Sequence, residues 1–128
     1  MYNFFPLHSY WTVLNKRVVF HTSQSFKSLN VYRESFALAK TVYTKLETVK
    51  GSYRLKEQLS AAVSSIPANL AEMASFDNMN QKRQKMIICI GEANEAEFWI
   101  DMCNEIGIIS NDEHAAYIEK LIGIRKML

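Results

Sequence analysis

A row of polar side chains follows one edge of an apolar helical pattern in the middle of this sequence. The row carries two amides, a hydroxyl and a carboxylate, on Gln58, Ser65, Asn69 and Glu72. At about 100° per residue, these side chains share one strip of a helix beside its apolar face. The residues of that face are Leu55, Leu59, Ala62, Ile66, Leu70 and Met73. Polar groups next to a core lose roughly 1–3 kcal/mol each when they lack hydrogen-bond partners. The strip is therefore either a structural network or a binding site.

Residue types that carry out catalysis are scarce and scattered. The sequence has no Gly-rich phosphate loop, no Cys-x-x-Cys and no His-Glu-x-x-His pattern. Arg17 and His21 come nearest to the Arg and His pair of one class of helical RNA-cleaving domains, but too few residues separate them. Glu72, Glu92 and Glu95 come nearest to a metal site, but they lack the His partners that a di-iron bundle has. We therefore expect no enzyme, no metal and no cofactor.

The charges of the chain are nearly balanced. A formal net charge of +2 is too small to indicate a nucleic-acid-binding protein by itself. Cations that could contact phosphates occur at two predicted helix starts. They are Arg54 and Lys56 at the first, and Lys82, Arg83 and Lys85 at the second. Because so few cations are available, we expect weak, salt-sensitive binding to nucleic acid. The alternative is that these cations are simply the solvated side chains of two helix starts.

The first 25 residues differ in kind from the rest. They are rich in aromatic side chains without a helical period, and they contain Lys16 and Arg17 but no acidic residue. A hairpin around Asn15 and Lys16, a loosely packed arm, or a start codon upstream of the true domain would each explain this composition. The sequence shows neither a signal-peptide pattern nor a run of about 20 apolar residues. We therefore expect a cytoplasmic protein without membrane association.

The apolar spacing from residue 26 onward predicts four helices. The first, at about 29–49, has a heptad seam in which apolar residues recur at intervals of three and four. The seam residues are Leu29, Tyr32, Phe36, Ala39, Tyr43 and Leu46, and a second stripe holds Val31, Leu38, Val42 and Val49. We expect Ser25 or Ser28 to cap the start of this helix and Gly51 to stop it.

The second helix, at about 53–75, contains Pro67 in mid-pattern. Proline cannot donate to the carbonyl of Val63, so we expect a kink there, with Ser64 or Ser65 supplying a hydroxyl to the freed group. The kink would also bring backbone carbonyls near the amide of Asn69. Asp77 or Asn78 is then expected to cap the third helix.

The third helix, at about 79–107, has two apolar faces. The expected core face holds Met86, Cys89, Ile90, Ala93, Ala96, Ile100 and Cys103. A second cluster, about 110° away, holds Ile88, Trp99, Met102 and Ile106. One apolar stripe is enough for a helix in a monomeric bundle, so the second cluster predicts an oligomer interface. The two cysteines lie about 21 Å apart on this helix, too far for a disulfide.

The third helix also carries an acidic row, and the fourth helix completes the bundle. Glu97, Asp101 and Glu105 are spaced four apart, which predicts either a solvated face or a docking surface for Lys or Arg on a neighbour.

Ser110 and Glu113 form a capping-box pattern for the fourth helix, at about 111–127. Short links between four helices predict an all-α, up-down-up-down four-helix bundle at residues 26–128, preceded by an irregular N-terminal arm at residues 1–25.

Several segments in order resemble one protein family. They are Phe26–Tyr32 (F-x-x-L-x-V-Y), Leu38–Tyr43 (L-A-x-x-V-Y), Tyr53–Leu59 (Y-x-L-x-x-Q-L), Ser65–Glu72 (S-I-P-x-N-L-A-E), Glu92–Trp99 (E-A-x-E-A-x-F-W) and Glu105–Ile108. Residues 26–107 resemble the four-helix-bundle proteins encoded in intervening sequences of bacterial large-subunit ribosomal RNA genes. The accessory variability protein of diversity-generating retroelements is similar and belongs to the same group. Ser65–Glu72 is the most specific of these segments.

The resemblance implies a ring-shaped homopentamer and, from the retroelement members, binding to nucleic acid or to a reverse transcriptase. This sequence departs from the family pattern where Ser60 and Ala61 replace Arg, where Met73 replaces Gly, and near Phe76, where an Arg is common. Fewer cations mean fewer phosphate contacts. We interpret the chain as a non-catalytic homo-oligomeric accessory or assembly factor that acts with RNA or an RNA-binding partner. The alternative is a structural or interaction protein, encoded by a genetic element, with no nucleic-acid binding of its own.

Overall fold

The computed structural model describes residues 26–128, which form four α-helices and no strand. The helices are α1 (Asn30–Glu47), α2 (Tyr53–Met73), α3 (Met79–Glu105) and α4 (Asn111–Met127). Each predicted helix end lies within two residues of the observed one, so the predicted all-α fold is confirmed. The expectations for residues 1–25, including the hairpin around Asn15 and Lys16, lie outside the described residues.

The four helices pack as a bundle in chain order. α1 contacts α2, α2 contacts α3, α3 contacts α4, and α4 closes the bundle against α1. The links between them are short, so consecutive helices run antiparallel in an up-down-up-down arrangement. The contact between α2 and α3 is the most extensive of the four. The polar strip lies on α2, beside this contact.

Two of the three predicted helix N-caps are present in the structure. The Asn78 side chain accepts a hydrogen bond from the backbone N–H of Asn80. At α4, Ser110 and Glu113 form both bonds of the predicted capping box. At α1, Leu29 and not Ser28 occupies the N-cap position, and its side chain makes no cap bond. Ser25, the other residue predicted to cap α1, lies outside the described residues.

The core takes up the two apolar stripes predicted for the first helix unequally. Phe36 and Tyr43 are 53% and 57% exposed, whereas Leu38 and Val42 from the second stripe are almost completely buried. Both stripes have helical spacing, and only the positions of α2 and α4 decide which one faces inward. The other buried apolar residues are Leu46, Leu55, Leu59, Ala62, Val63, Ile66, Leu70, Cys89, Ala93, Ala96, Ile100, Cys103, Ile109, Tyr117, Leu121 and Ile124.

Two further expectations for the first two helices need correction. α1 ends at Glu47, before Gly51, and the link to α2 contains two consecutive residues with positive φ, Gly51 at 72° and Ser52 at 53°. α2 continues as one helix through Pro67, so the proline does not divide it, and the kink stays a prediction. The Ser64 hydroxyl donates to the carbonyls of Ser60 and Ala61, so it does not bond the Val63 carbonyl that the proline leaves free.

Candidate interaction surfaces

The polar strip on α2 forms a hydrogen-bonded network that crosses to α3. The Asn69 amide donates to the backbone carbonyl of Ser65 over 2.7 Å and approaches the Ser65 hydroxyl at 3.3 Å. Lys85 of α3 reaches the same group, with its Nζ 3.4 Å from Asn69 Oδ1 and 2.6 Å from Glu72 Oε2. One cation therefore joins two members of the strip to the neighbouring helix.

Gln58 stands apart from this network. It lies on the same helix, seven residues before Ser65, and its side chain is half-buried. Within residues 26–128, the hydrogen bonds of the strip connect Ser65, Asn69, Glu72 and Lys85 and do not extend to Gln58. The network thus holds three of the four residues grouped by sequence, together with a lysine that sequence analysis placed among the phosphate-binding candidates.

The predicted cations for nucleic acid lie at opposite ends of the bundle. Lys85 is beside Glu72 near the end of α2, whereas Lys56 lies sixteen residues earlier on that helix, which is about 24 Å away. Lys56 is engaged locally, because its Nζ donates to the Val49 carbonyl over 2.7 Å and lies 5.1 Å from the centre of the Tyr53 ring. The predicted cations are therefore divided between the two ends of the bundle, and the charge of Lys85 is partly neutralised by Glu72.

Three cations of the predicted set have neither an ion pair nor a side-chain hydrogen bond in the described part of the chain. Arg54 is exposed at the first turn of α2, and Lys82 and Arg83 lie in the first turns of α3. Lys82 and Arg83 lie at the positive end of the α3 dipole, and both features favour an anionic partner there. Arg54 lies at the other end of the bundle, so each end can make only a few phosphate contacts.

The second apolar cluster of α3 is an exposed surface. Ile88, Met102 and Ile106 are 42%, 37% and 56% exposed, and Trp99 is partly buried against the core. The Phe98 and Trp99 rings contact each other edge to face, with centroids 4.9 Å apart. Ile88, Met102 and Ile106 lie outside the buried core, so this part of the cluster faces away from the bundle. Ile90 is also exposed, which corrects its assignment to the core face.

The acidic row of α3 is paired with α4 of the same chain. The Arg125 guanidinium donates to the Glu97 carboxylate, and Nε2 of His114 lies 2.7 Å from Asp101 Oδ1. These contacts tie the two helices together, so two of the three carboxylates in the row are satisfied inside the protomer. Glu105, at the end of α3, is exposed.

The glutamates considered as metal ligands do not assemble into a site. Glu72 is paired with Lys85, and no group of three or more His, Cys, Asp or Glu side chains in residues 26–128 is placed to hold a metal ion. Burial, and then the neighbouring Glu95 carboxylate, raises the pKa of Glu92. Among the helices of the same range, none is long and apolar enough to cross a membrane.

An apolar groove between α1 and α2 was missed by sequence analysis. It has a volume of about 390 Å³ and is bounded by the aromatic stripe of α1 on one side and by small residues of α2 on the other. Its apolar lining consists of Tyr32, Phe36, Ala39, Tyr43, Pro67, Ala68 and Ala71. The signal was present in the sequence as the heptad seam of the first helix, which contains Tyr32, Phe36, Ala39 and Tyr43. Pro67, which lies inside α2, is part of its wall.

These features define a small four-helix-bundle protein with two separate exposed apolar surfaces. Residues 27–128 match the family of 23S rRNA-intervening sequence proteins, and the chain belongs to that family. The fold is similar to the crystal structure of a protein of unknown function from the S23 ribosomal protein family of Bacteroides thetaiotaomicron. The TM-score is 0.71 at 22% identity, over 76% of this chain and 89% of that chain. No curated protein is significantly similar in sequence.

Proposed function

We propose that this protein is a non-catalytic homo-oligomer, most simply a ring-shaped pentamer, that acts as an accessory or assembly factor. The observation that carries the proposal is the exposed second apolar cluster of α3, at Ile88, Met102 and Ile106 beside Trp99. Neighbouring exposed apolar residues that the core does not require are typical of protein–protein contact surfaces. A contact between two different faces of neighbouring copies closes into a ring when the rotation permits.

The proposed partner of the assembly is RNA or a nucleic-acid-binding protein such as a reverse transcriptase. Two features support this partner: membership of the intervening-sequence family, and the similarity of the accessory variability protein to that group, which the resemblance of residues 26–107 implies. Arg54, Lys82 and Arg83 are the cations available for it. In a ring, each copy contributes these charges again, so several weak contacts act together at high effective concentration.

The second candidate function is a structural or interaction protein that does not bind nucleic acid itself. It is favoured by the engagement of Lys56 and Lys85 within the protomer and by the separation of the remaining cations. Both candidates require the assembly but differ in their response to nucleic acid. Binding measurements at low salt therefore distinguish them.

Light scattering at micromolar concentration tests the assembly. We expect a mass several times that of the 14.8 kDa chain, and about five times that mass for the pentamer. Met102→Glu and Trp99→Glu place a charge in the proposed interface and should lower the mass. Ile122→Glu, at a 43% exposed position of α4, is the matched control and should keep it. Circular dichroism checks that each variant stays helical. A parent mass near 14.8 kDa would overturn the proposal.

A further inference from the structure

The groove between α1 and α2 has the shape of a binding surface for a helix. It follows α1 from Tyr32 to Tyr43, which is about 16 Å, and its volume is about 390 Å³. Phe36 and Tyr43 are each more than half exposed on the α1 side, and the α2 side presents small side chains, among them Ala68 and Ala71. Large side chains of a second helix can therefore enter above the alanines and cover the two rings.

The second apolar cluster of α3 is part of a longer exposed ridge. Ile87 and Phe98 are 61% and 52% exposed. At about 100° per residue, they lie on the same outward side of α3 as Ile88, Met102 and Ile106. These five residues, which we call the α3 ridge, extend over about 28 Å of the helix. The ridge is thus long enough to fill the groove from end to end, and its side chains are large and apolar.

The groove and the α3 ridge of one chain lie too far apart to contact each other. Within residues 26–128, α1 packs against α2 and α4 but not against α3, so α1 and α3 lie diagonally across the bundle. The α3 ridge faces outward and can enter only the groove of another copy. Such a contact joins two different faces, so a row of copies presents a free groove at one end and a free ridge at the other. The row has no free surface once it closes into a ring.

The charges beside the two surfaces are of opposite sign. The part of α3 from Gly91 to Glu105 contains five acidic side chains and no basic one. Glu105, next to Ile106 of the ridge, is exposed and has no ion pair within residues 26–128. Lys40 is exposed, lines the groove and also has no ion pair in that range. A free carboxylate beside the ridge and a free ammonium group at the groove attract each other, which favours a second copy as the occupant of the groove.

We propose that the α3 ridge of one copy docks into the α1–α2 groove of the next copy, with Glu105 on the side of Lys40. The inference rests on the proposed assembly and supplies the surface that receives the second apolar cluster. One contact then buries both exposed apolar surfaces, because Phe36 and Tyr43 are covered by a neighbouring α3. It also gives Glu105 a partner, whereas the other two carboxylates of the acidic row are paired with α4 of their own chain.

Mixing two blocked variants of the full-length chain tests the proposal. Tyr43→Glu places a charge in the groove and leaves the ridge intact, whereas Met102→Glu blocks the ridge and leaves the groove intact. Each variant alone should have the 14.8 kDa mass of one chain by light scattering. An equimolar mixture should have about twice that mass, because the ridge of Tyr43→Glu still fits the groove of Met102→Glu and the other two surfaces are blocked. Both positions are exposed, so circular dichroism should show the helix content of the parent.

Two controls accompany the mixture. Tyr53→Glu makes the same substitution at a 79% exposed tyrosine of α2 that does not line the groove, and it should keep the parent mass. The double variant Tyr43→Glu/Met102→Glu has neither surface intact and should pair with neither single variant.

The outcomes separate this inference from the proposed assembly. A Tyr43→Glu variant that keeps the assembled mass of the parent would overturn the inference alone, because the groove would then have another occupant. Single variants that dissociate but do not pair on mixing would also overturn it, because the contact would then join like faces. A parent mass near 14.8 kDa would overturn both the inference and the assembly.

Discussion

The Nζ atom of Lys85 on α3 lies 2.6 Å from Oε2 of Glu72 on α2, and the same ammonium group reaches Asn69 Oδ1 at 3.4 Å. Asn69 in turn donates to the Ser65 carbonyl two residues before Pro67. A chain of polar contacts therefore links the proline-containing turn of α2 to α3. Because these helices share the most extensive contact of the bundle, the network lies where it can specify their pairing.

Replacing Asn69 by leucine tests the structural role of this network. Leucine keeps the approximate size but removes the donor to Ser65 and the acceptor for Lys85, so Asn69→Leu should lower the unfolding free energy by about 1–3 kcal/mol or change the assembly. Thermal and denaturant unfolding with light scattering measure both. Asn94→Leu, at an exposed position of α3, is the control. Unchanged stability and mass, with loss of a binding activity, would instead identify the network as a partner site.

Acid should weaken the start of α4 through Glu113. The backbone N–H of Ser110 donates to Glu113 Oε1 over 3.0 Å, and this bond, with help from Lys45 at 3.2 Å, holds the pKa of the carboxyl below its ordinary value of 4.5. When folding lowers the pKa of a carboxyl group, its ionised form stabilises the folded state. This stabilisation is fully present at pH values above the pKa of the unfolded chain, and it is lost as the pH falls through the pKa of the folded protein. The contribution should therefore disappear below about pH 4.5.

The variant Glu113→Ala measures this contribution. At neutral pH, it should lower the unfolding free energy by about 0.5–1 kcal/mol, because both a cap bond and an ion pair are removed. The difference from the parent should shrink as the pH is lowered into the acid range, where the parent carboxyl is protonated. Glu119→Ala, at an exposed position in mid-α4, should show neither effect. A stability difference that is constant across the pH range would contradict the assignment.

Both cysteines should resist modification while the protein is folded. Cys89 and Cys103 are free and completely buried, and burial raises the pKa of each thiol to about 11, with the Glu92 carboxylate adding to the effect at Cys89. The reactive thiolate is therefore rare near pH 8. A thiol reagent should detect no accessible cysteine in the native protein and two after denaturation. Rapid native reaction at either position would show that α3 separates readily from the core.

Binding to nucleic acid should be weak and strongly dependent on salt. Single-stranded RNA binding should weaken with a log–log salt slope of about −2 per protomer, since about three cations are free to contact phosphate. The double variant Lys82→Gln/Arg83→Gln should reduce binding, whereas Lys50→Gln/Lys126→Gln, which removes the same charge elsewhere, should reduce it much less. Fluorescence anisotropy over a salt series measures both. Binding that survives high salt would contradict this expectation, and no binding at low salt would favour the second candidate function.

The sequence determined those features of this protein that depend on neighbouring residues along the chain. The four helices follow from local apolar spacing, and the caps at Asn78 and Ser110 follow from side chains that reach backbone groups within one turn. The amide of Asn69 finds the carbonyl of Ser65, four residues earlier on its own helix. Interactions of this range need no knowledge of the other helices.

Only the tertiary structure decided which surfaces are buried and which polar groups meet. α1 carries two stripes that both have helical spacing. The packing of α2 and α4 places Leu38 and Val42 in the core and leaves Phe36 and Tyr43 at the groove. Lys85 pairs with Glu72, thirteen residues away, because α2 and α3 run side by side in one register. Helical periodicity gives the direction of a side chain about its own axis, but its neighbours across the bundle depend on how the helices are rotated and offset against one another.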